Sequence, residues 1–329
     1  MDELLACPLC NSKDFKTVCK RDDLKKIYYL VECKNCGLKF INPQPETNEL
    51  VSYYNEEYEV PEYQKEKIVN KAKKVLSILK EKISSGAKIL EIGASHGFFL
   101  DEAKRNGLDV YGVEISKVAC VNAKKLFGIE IENKDFLRSK YAQRKNFFDV
   151  IVLLDVLEHL TDQNKVLSSA RIVLKRGGFL VLTLPNIDSF EFKLFGKYWE
   201  WFSPPAHLFY YSPKTVRKML EKHDLDVVHL ETYEGDSAGS LLFHLYLSLK
   251  QLIFYNLKYI LGKNKLLQKR EHIRRNLKEK TSKSGKEFVG FDRFIFKIAE
   301  LLWKPFKFID TLRFKRGKGQ SILVLAVKK

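Results

Sequence analysis

Between residues 87 and 230 the chain alternates short apolar runs with helical stretches, and that alternation limits the fold more than any other feature. The runs Lys88–Ile92, Val110–Val113, Phe148–Leu154 and Gly178–Leu184 predict strands, and Phe98–Asn106, Lys117–Phe127 and Asn164–Lys175 predict helices after them. Strands that each lead into a helix form a parallel sheet with helices on both faces. Later strands are predicted at Asp226–Leu230 and Ser321–Val327, with a helix at Pro213–Lys222.

The first strand runs into Glu91-Ile-Gly93-Ala-Ser-His-Gly97. Glycines at such a turn let the backbone bend sharply and let a ligand approach it closely. A dinucleotide fingerprint would need glycines where Ser95 and Phe98 stand, and a phosphate loop would need Gly-Lys-Ser/Thr; neither is present.

The turn, with an acidic residue two before its first glycine, resembles that of the class I S-adenosylmethionine-dependent methyltransferases. Ala94 and Ser95 stand where further glycine or small residues are usual in that family. Glu114, 23 residues after Glu91 and at the end of the second strand, holds the place of the family's second acid. A carboxylate there can accept both ribose hydroxyls. Asp135-Phe136 resembles the pair that flanks the adenine. The segments Asp149–Leu160 and Val173–Asn186 resemble most closely the ubiquinone-biosynthesis O-methyltransferase type. The resemblance covers residues 87–230 and the final strand. It implies a Rossmann-like seven-stranded α/β sheet and S-adenosylmethionine as cofactor, held by Glu91, Gly93, Gly97, Glu114, Asp135, Phe136 and Asp155.

Methyl transfer to an alcohol needs alignment of the two reactants and a general base, for which histidine is suited. His159 closes the sequence Asp155-Val-Leu-Glu158-His159 after the fourth strand. Relatives of the ubiquinone type carry two acids and a histidine here, and a second, divalent metal is associated with the motif; Asp155 stands where they have Glu. The same residues can instead cap the next helix and line the cofactor pocket. His207 lies in the aromatic loop Trp199–Ser212, which resembles the relatives' acceptor-side loop. It either touches the acceptor or makes a structural hydrogen bond. The candidate catalytic set is therefore Asp155, Glu158, His159 and His207.

Ahead of this domain, Cys7-x2-Cys10 and Cys33-x2-Cys36 are separated by 22 residues. Two such pairs in a reducing compartment predict a four-thiolate structural zinc, with no position open for catalysis. Residues 1–45 thus read as a zinc ribbon containing a strand at 26–32. Residues 46–86 read as a helical linker or cap with the aromatic cluster Tyr53, Tyr54 and Tyr58. The methyltransferase-like domain takes residues 87–234 and 320–329.

The intervening 235–319 is an insertion holding 20 Lys plus Arg and 7 Asp plus Glu, which is +13 of the chain's net +17. Ser240–Leu261 is mostly apolar, with Ser240, His244, Ser248, Gln251 and Lys258 on a narrow stripe. Phe291–Phe314 is amphipathic: Arg293, Lys297, Glu300, Lys304 and Lys307 share one face, and Phe294, Ile298, Leu301, Leu302, Phe306 and Ile309 the other. Pro305 is expected to kink it. Basic amphipathic helices can lie in a membrane interface, with the basic stretch 263–286 against anionic head groups, or pack on each other.

The N-terminus lacks the basic start and apolar run of a signal peptide, and no long uncharged apolar run is present. A cytoplasmic chain is expected, with attachment at the inner membrane face open. The leading expectation is O-methylation of a small-molecule, sugar or lipid-linked acceptor. A nucleic-acid methyltransferase is the alternative, using the ribbon and basic helices on phosphates. Against it, strand four lacks the Asn/Asp-Pro-Pro-aromatic motif and no Pro-Cys pair is present. A third reading is a non-catalytic, membrane-attached binding module.

Overall fold

The computed structural model describes residues 3–22, 26–45, 62–234, 241–261, 295, 297–299 and 301–329. Tyr53, Tyr54 and Tyr58, the basic stretch 263–286, Arg293, Phe294 and Glu300 lie outside the described residues.

Two sheets organise the molecule. The larger has seven strands: β4 (Lys88–Ile92), β5 (Asp109–Glu114), β6 (Glu132–Asn133), β7 (Phe148–Leu154), β8 (Leu174–Pro185), β10 (Leu225–Tyr233) and β11 (Ser321–Lys328). Their order is β10-β11-β8-β7-β4-β5-β6. The pairs β4–β5, β4–β7, β5–β6 and β7–β8 are parallel, and β11 runs antiparallel to both β8 and β10. The expected Rossmann-like seven-stranded sheet is present, with the insertion entering just before its last strand. In β7, Phe148, Val150, Ile151, Val152 and Leu153 are all fully buried. A strand covered on both faces needs such a continuous apolar run, which is why it was legible.

Helices α1 (Glu62–Leu79), α2 (Phe98–Arg105), α3 (Lys117–Phe127) and α4 (Gln163–Val173) flank this sheet. Their starts follow local chemistry. Ser116 caps α3 by accepting from the Ala119 amide, and Asp162 caps α4 by accepting from the Lys165 amide. On α1 the buried stripe is Ala72, Val75, Leu76 and Leu79, at helical spacing. Lys71 shares that stripe and is buried as well.

The smaller sheet has the order β1-β2-β3-β9: β1 (Phe15–Asp22), β2 (Ile27–Cys33), β3 (Lys39–Ile41) and β9 (Phe209–Tyr210). Strand β9 belongs to the aromatic loop, so the cysteine-bearing segment and that loop share one sheet. Phe40 pairs with Phe209 in register, and the Ile41 amide donates to the Leu208 carbonyl at 2.8 Å. Cys7, Leu9, Val31, Leu38 and Phe40 join Leu90, Ile92 and Leu153 in one apolar core. Asn164 and Lys222 both donate to the Pro8 carbonyl, tying the first cysteine turn to the helices beneath it.

In the insertion, α7 (Leu241–Leu261) turns His244 and Ser248 of its expected polar stripe inward, while Ser240 and the Lys258 side chain lie outside what the structure describes. His244 and Ser248 are fully buried, whereas Leu249 and Ile253 are exposed. The Pro305 break appears as a 3-10 turn at Lys304–Phe306, followed by α8 (Lys307–Lys315).

Candidate active site

The carboxyl ends of β4, β5, β7 and β8 gather the candidate residues at one sheet edge, where open α/β sheets bind ligands. After β4 the chain turns through Gly93 (φ 75°), Ser95 (φ 47°) and Gly97 (φ 77°). The amides of Gly93 and Ala94 both donate to the Val113 carbonyl, locking the turn onto β5. A Cβ on Gly93 would lie 2.6 Å from Cγ2 of Val156, so this position accepts no side chain. Ser95 holds a left-handed conformation without being glycine, which costs about 1–2 kcal/mol.

Glu114 stabilises that conformation. One of its carboxylate oxygens accepts from the Ser95 amide at 2.9 Å and the other from the Ser116 amide at 2.8 Å. Burial pushes its carboxyl up, and the two amides pull it back. Glu91 is buried, and its Oε2 has no hydrogen-bond partner among the described residues. Burial, then the nearby Glu114 charge, holds its carboxyl well above the usual range. A glycine cradle, an anchored carboxylate and an orphaned buried one fit the family's cofactor. Asp135 caps the 3-10 turn that begins with Phe136, accepting from the Leu137 amide. The Phe136 ring is buried and packs in the main core.

Asp155, Glu158 and His159 do not converge as a triad. Asp155 (φ 55°) accepts from the Thr183 hydroxyl at 2.9 Å and pairs with the Lys71 ammonium. Burial works against its charge, but Lys71 and Thr183 hold the carboxyl below its ordinary value. The residues that do converge are Glu158, His159 and His207, whose donor atoms lie within 4.8 Å of one another. Both Glu158 oxygens are buried without a hydrogen-bond partner among the described residues, with Nε2 of His159 3.9 Å from Oε1. Burial, then the Asp155 charge, raises the Glu158 carboxyl well above its usual range.

The two imidazoles are held alike. Nδ1 of His159 lies 2.8 Å from the Ala206 carbonyl, and Nδ1 of His207 lies 2.8 Å from the Trp201 carbonyl. A carbonyl only accepts, so each Nδ1 carries the proton and Nε2 is the basic nitrogen. Burial lowers both, with His207 pushed down to about 3. The rings stand 4.6 Å apart, and Trp201 stacks parallel to His207 at 6.2 Å. The Leu208 amide donates to the Glu158 carbonyl at 2.9 Å, which fixes the loop to the end of β7.

The four cysteines form a separate centre. Each pair makes the same turn: Asn11 and Gly37, both left-handed, donate to the carbonyls of Cys7 and Cys33. Sulfur separations are 3.5 Å for Cys7–Cys36 and 3.5 Å for Cys10–Cys33, with all four Sγ within 4.8 Å. Tetrahedral zinc–thiolate bonds of about 2.3 Å place sulfurs roughly 3.8 Å apart, so the set fits zinc.

Sequence reasoning missed Lys71. The signal was a lysine on the apolar stripe of α1, where an unpaired charge would not be tolerated.

Residues 63–230 match the family model described as a methyltransferase domain. A ubiquinone biosynthesis O-methyltransferase of Cereibacter sphaeroides is 28% identical over 153 residues, covering 44% of this chain and 62% of that protein. One from a Ruegeria species is 28% identical over 118 residues, covering 34% and 47%. The chain thus spans less than two thirds of these relatives' length. A solved S-adenosylmethionine-dependent methyltransferase of Archaeoglobus fulgidus is 19% identical, with 78% of this chain and 94% of that one covered at a TM-score of 0.45.

Proposed function

The chain belongs to the methyltransferase-domain family, and from that premise we propose that it moves the methyl group of S-adenosylmethionine to an oxygen of a small-molecule or lipid-linked acceptor. One observation carries this reading: the glycine turn with Glu114 and the two Nδ1-anchored imidazoles meet at the same sheet edge. The bound cofactor supplies an activated methyl on its sulfonium. Glu114 would hold the cofactor's ribose, and the turn at Gly93 would let the backbone approach it. His207, buried beside Trp201, takes the proton from the acceptor hydroxyl at Nε2. It is neutral at physiological pH and can accept, but burial makes it a weak base, so alignment with the activated methyl carries more of the barrier. The O-methylation assigned to the ubiquinone-type relatives supports an oxygen acceptor.

A specific observation favours a second use of the same side chains. A Glu158 oxygen lies 3.9 Å from Nε2 of His159, and one donor atom each of Glu158, His159 and His207 fall within 4.8 Å of one another, a set that would hold a divalent cation. Such a cation would lower the acceptor hydroxyl's pKa.

The lipid-linked alternative draws on the insertion. Leu301, Leu302, Phe306, Phe308 and Leu312 are exposed, Leu301 to 70%. Lys304, Lys307, Lys315 and Arg316 are exposed among them. Apolar and basic residues interleaved in this way suit an anionic membrane surface.

The test incubates the purified protein and methyl-labelled cofactor with membrane and soluble extracts of its host. Label extracted into organic solvent is the expected result for a lipid-linked acceptor. Label confined to soluble sugars would remove the lipid, and label released by ribonuclease would replace it with RNA. No transfer into any fraction would contradict the whole reading.

A further inference from the structure

The cofactor edge gathers more buried carboxyl groups than its ligand chemistry explains, and among Glu91, Asp155 and Glu158 only Asp155 is held below its ordinary value. Glu91, Asp155 and Glu158 are gathered there, and Lys71 sits among them from outside the strand-and-turn motifs. Lys71 is only 7% exposed, on the stripe of α1 that also buries Ala72, Val75, Leu76 and Leu79. Its ammonium pairs with Oδ2 of Asp155, whose other oxygen is held by the Thr183 hydroxyl. Its charge also acts on Glu91 and Glu158. Burying an ammonium on an apolar stripe is costly unless its charge is used.

S-adenosylmethionine brings two cations, a sulfonium and an ammonium, with one carboxylate. The product left after transfer has lost the sulfonium charge and kept the other two. A pocket of buried carboxylates alone would therefore bind the cofactor far more tightly than the product. We propose that Lys71 is the resident counter-ion of the cofactor pocket, and that it sets how strongly the pocket prefers the charged cofactor over its uncharged-sulfur product. The proposal rests on the cofactor reading above. Lys71 is a positioning residue: it acts through Asp155 and its neighbours. Its positive charge opposes the sulfonium, and removing it should leave the ionised Asp155 carboxylate to attract that cation unopposed.

Calorimetric titration of S-adenosylmethionine and S-adenosylhomocysteine into the full-length protein tests this at fixed ionic strength. In Lys71→Met the ratio of product Kd to cofactor Kd is expected to rise about tenfold over the wild type. Lys71→Arg keeps the charge and should restore the wild-type ratio. Asp155→Asn removes one carboxylate and should move the ratio the other way, which keeps the test sound if the methionine variant does not fold. Equal weakening of both ligands in Lys71→Met, with an unchanged ratio, would mean that Lys71 only packs α1, and would overturn the proposal. A wild type that binds neither ligand would instead overturn the cofactor reading, and the role of Lys71 with it.

Discussion

A histidine that gives its Nδ1 proton to a backbone carbonyl has its tautomer fixed by the fold. His159 and His207 are both held this way, by Ala206 and Trp201. Neither needs to lose a proton before accepting one. His207→Ala is accordingly expected to lower kcat by roughly 10²- to 10⁴-fold, the usual contribution of a general base. The cofactor Kd should stay near the wild-type value, because the glycine turn lies on other strands. Unchanged turnover, or a loss that comes entirely from cofactor binding, would return His207 to a structural role. At this scale the sequence pointed to both histidines by motif. It could not reveal their tautomers, which depend on carbonyls met only through the fold. Nor could it separate Asp155 from Glu158: both stand in one motif, but Thr183 and Lys71 claim Asp155, and the Glu158 oxygens have no hydrogen-bond partner among the described residues.

Among the elements, six strands of the larger sheet were legible, the central ones because fully covered strands read as unbroken apolar runs, whereas the two-residue β6 carries no such run. The two-residue strand β9 was not legible either, since it is defined by pairing with β3, nearly 170 positions earlier in the chain. That pairing joins the cysteine centre to the loop carrying His207. Zinc held by Cys7, Cys10, Cys33 and Cys36 would therefore brace the acceptor-side wall as well as the N-terminus. Stripping metal with a strong chelator is expected to lower Tm by roughly 10 °C or more. It should depress methyl transfer more than cofactor affinity, because Glu114 and the glycine turn lie on β4, β5 and the segments that follow them. Metal analysis should find one zinc per chain before stripping. A chain with no zinc, equally stable and equally active after chelation, would contradict this coupling.

For the molecule as a whole, charge and apolar exposure fall in the same place. The insertion carries +13 of the net +17, and α7 buries His244 and Ser248 while exposing Leu249 and Ile253. The composition alone could not say which face of α7 turns inward. Burial of its polar stripe depends on partners such as Glu200, which pairs with His244 and comes from the aromatic loop. Among the described residues no helix is long and apolar enough to cross a membrane. The exposed apolar and basic residues of 301–316 support the proposal that this surface docks on an anionic membrane. All of this presupposes that the glycine turn and Glu114 hold S-adenosylmethionine. Titrating that cofactor calorimetrically into the wild type and Glu114→Gln tests the presupposition most directly. One site per chain is predicted, with affinity reduced roughly 10- to 100-fold in the variant, where an amide NH₂ would face the Ser95 or Ser116 donor. Absence of binding to the wild type, or equal binding by the variant, would contradict the account.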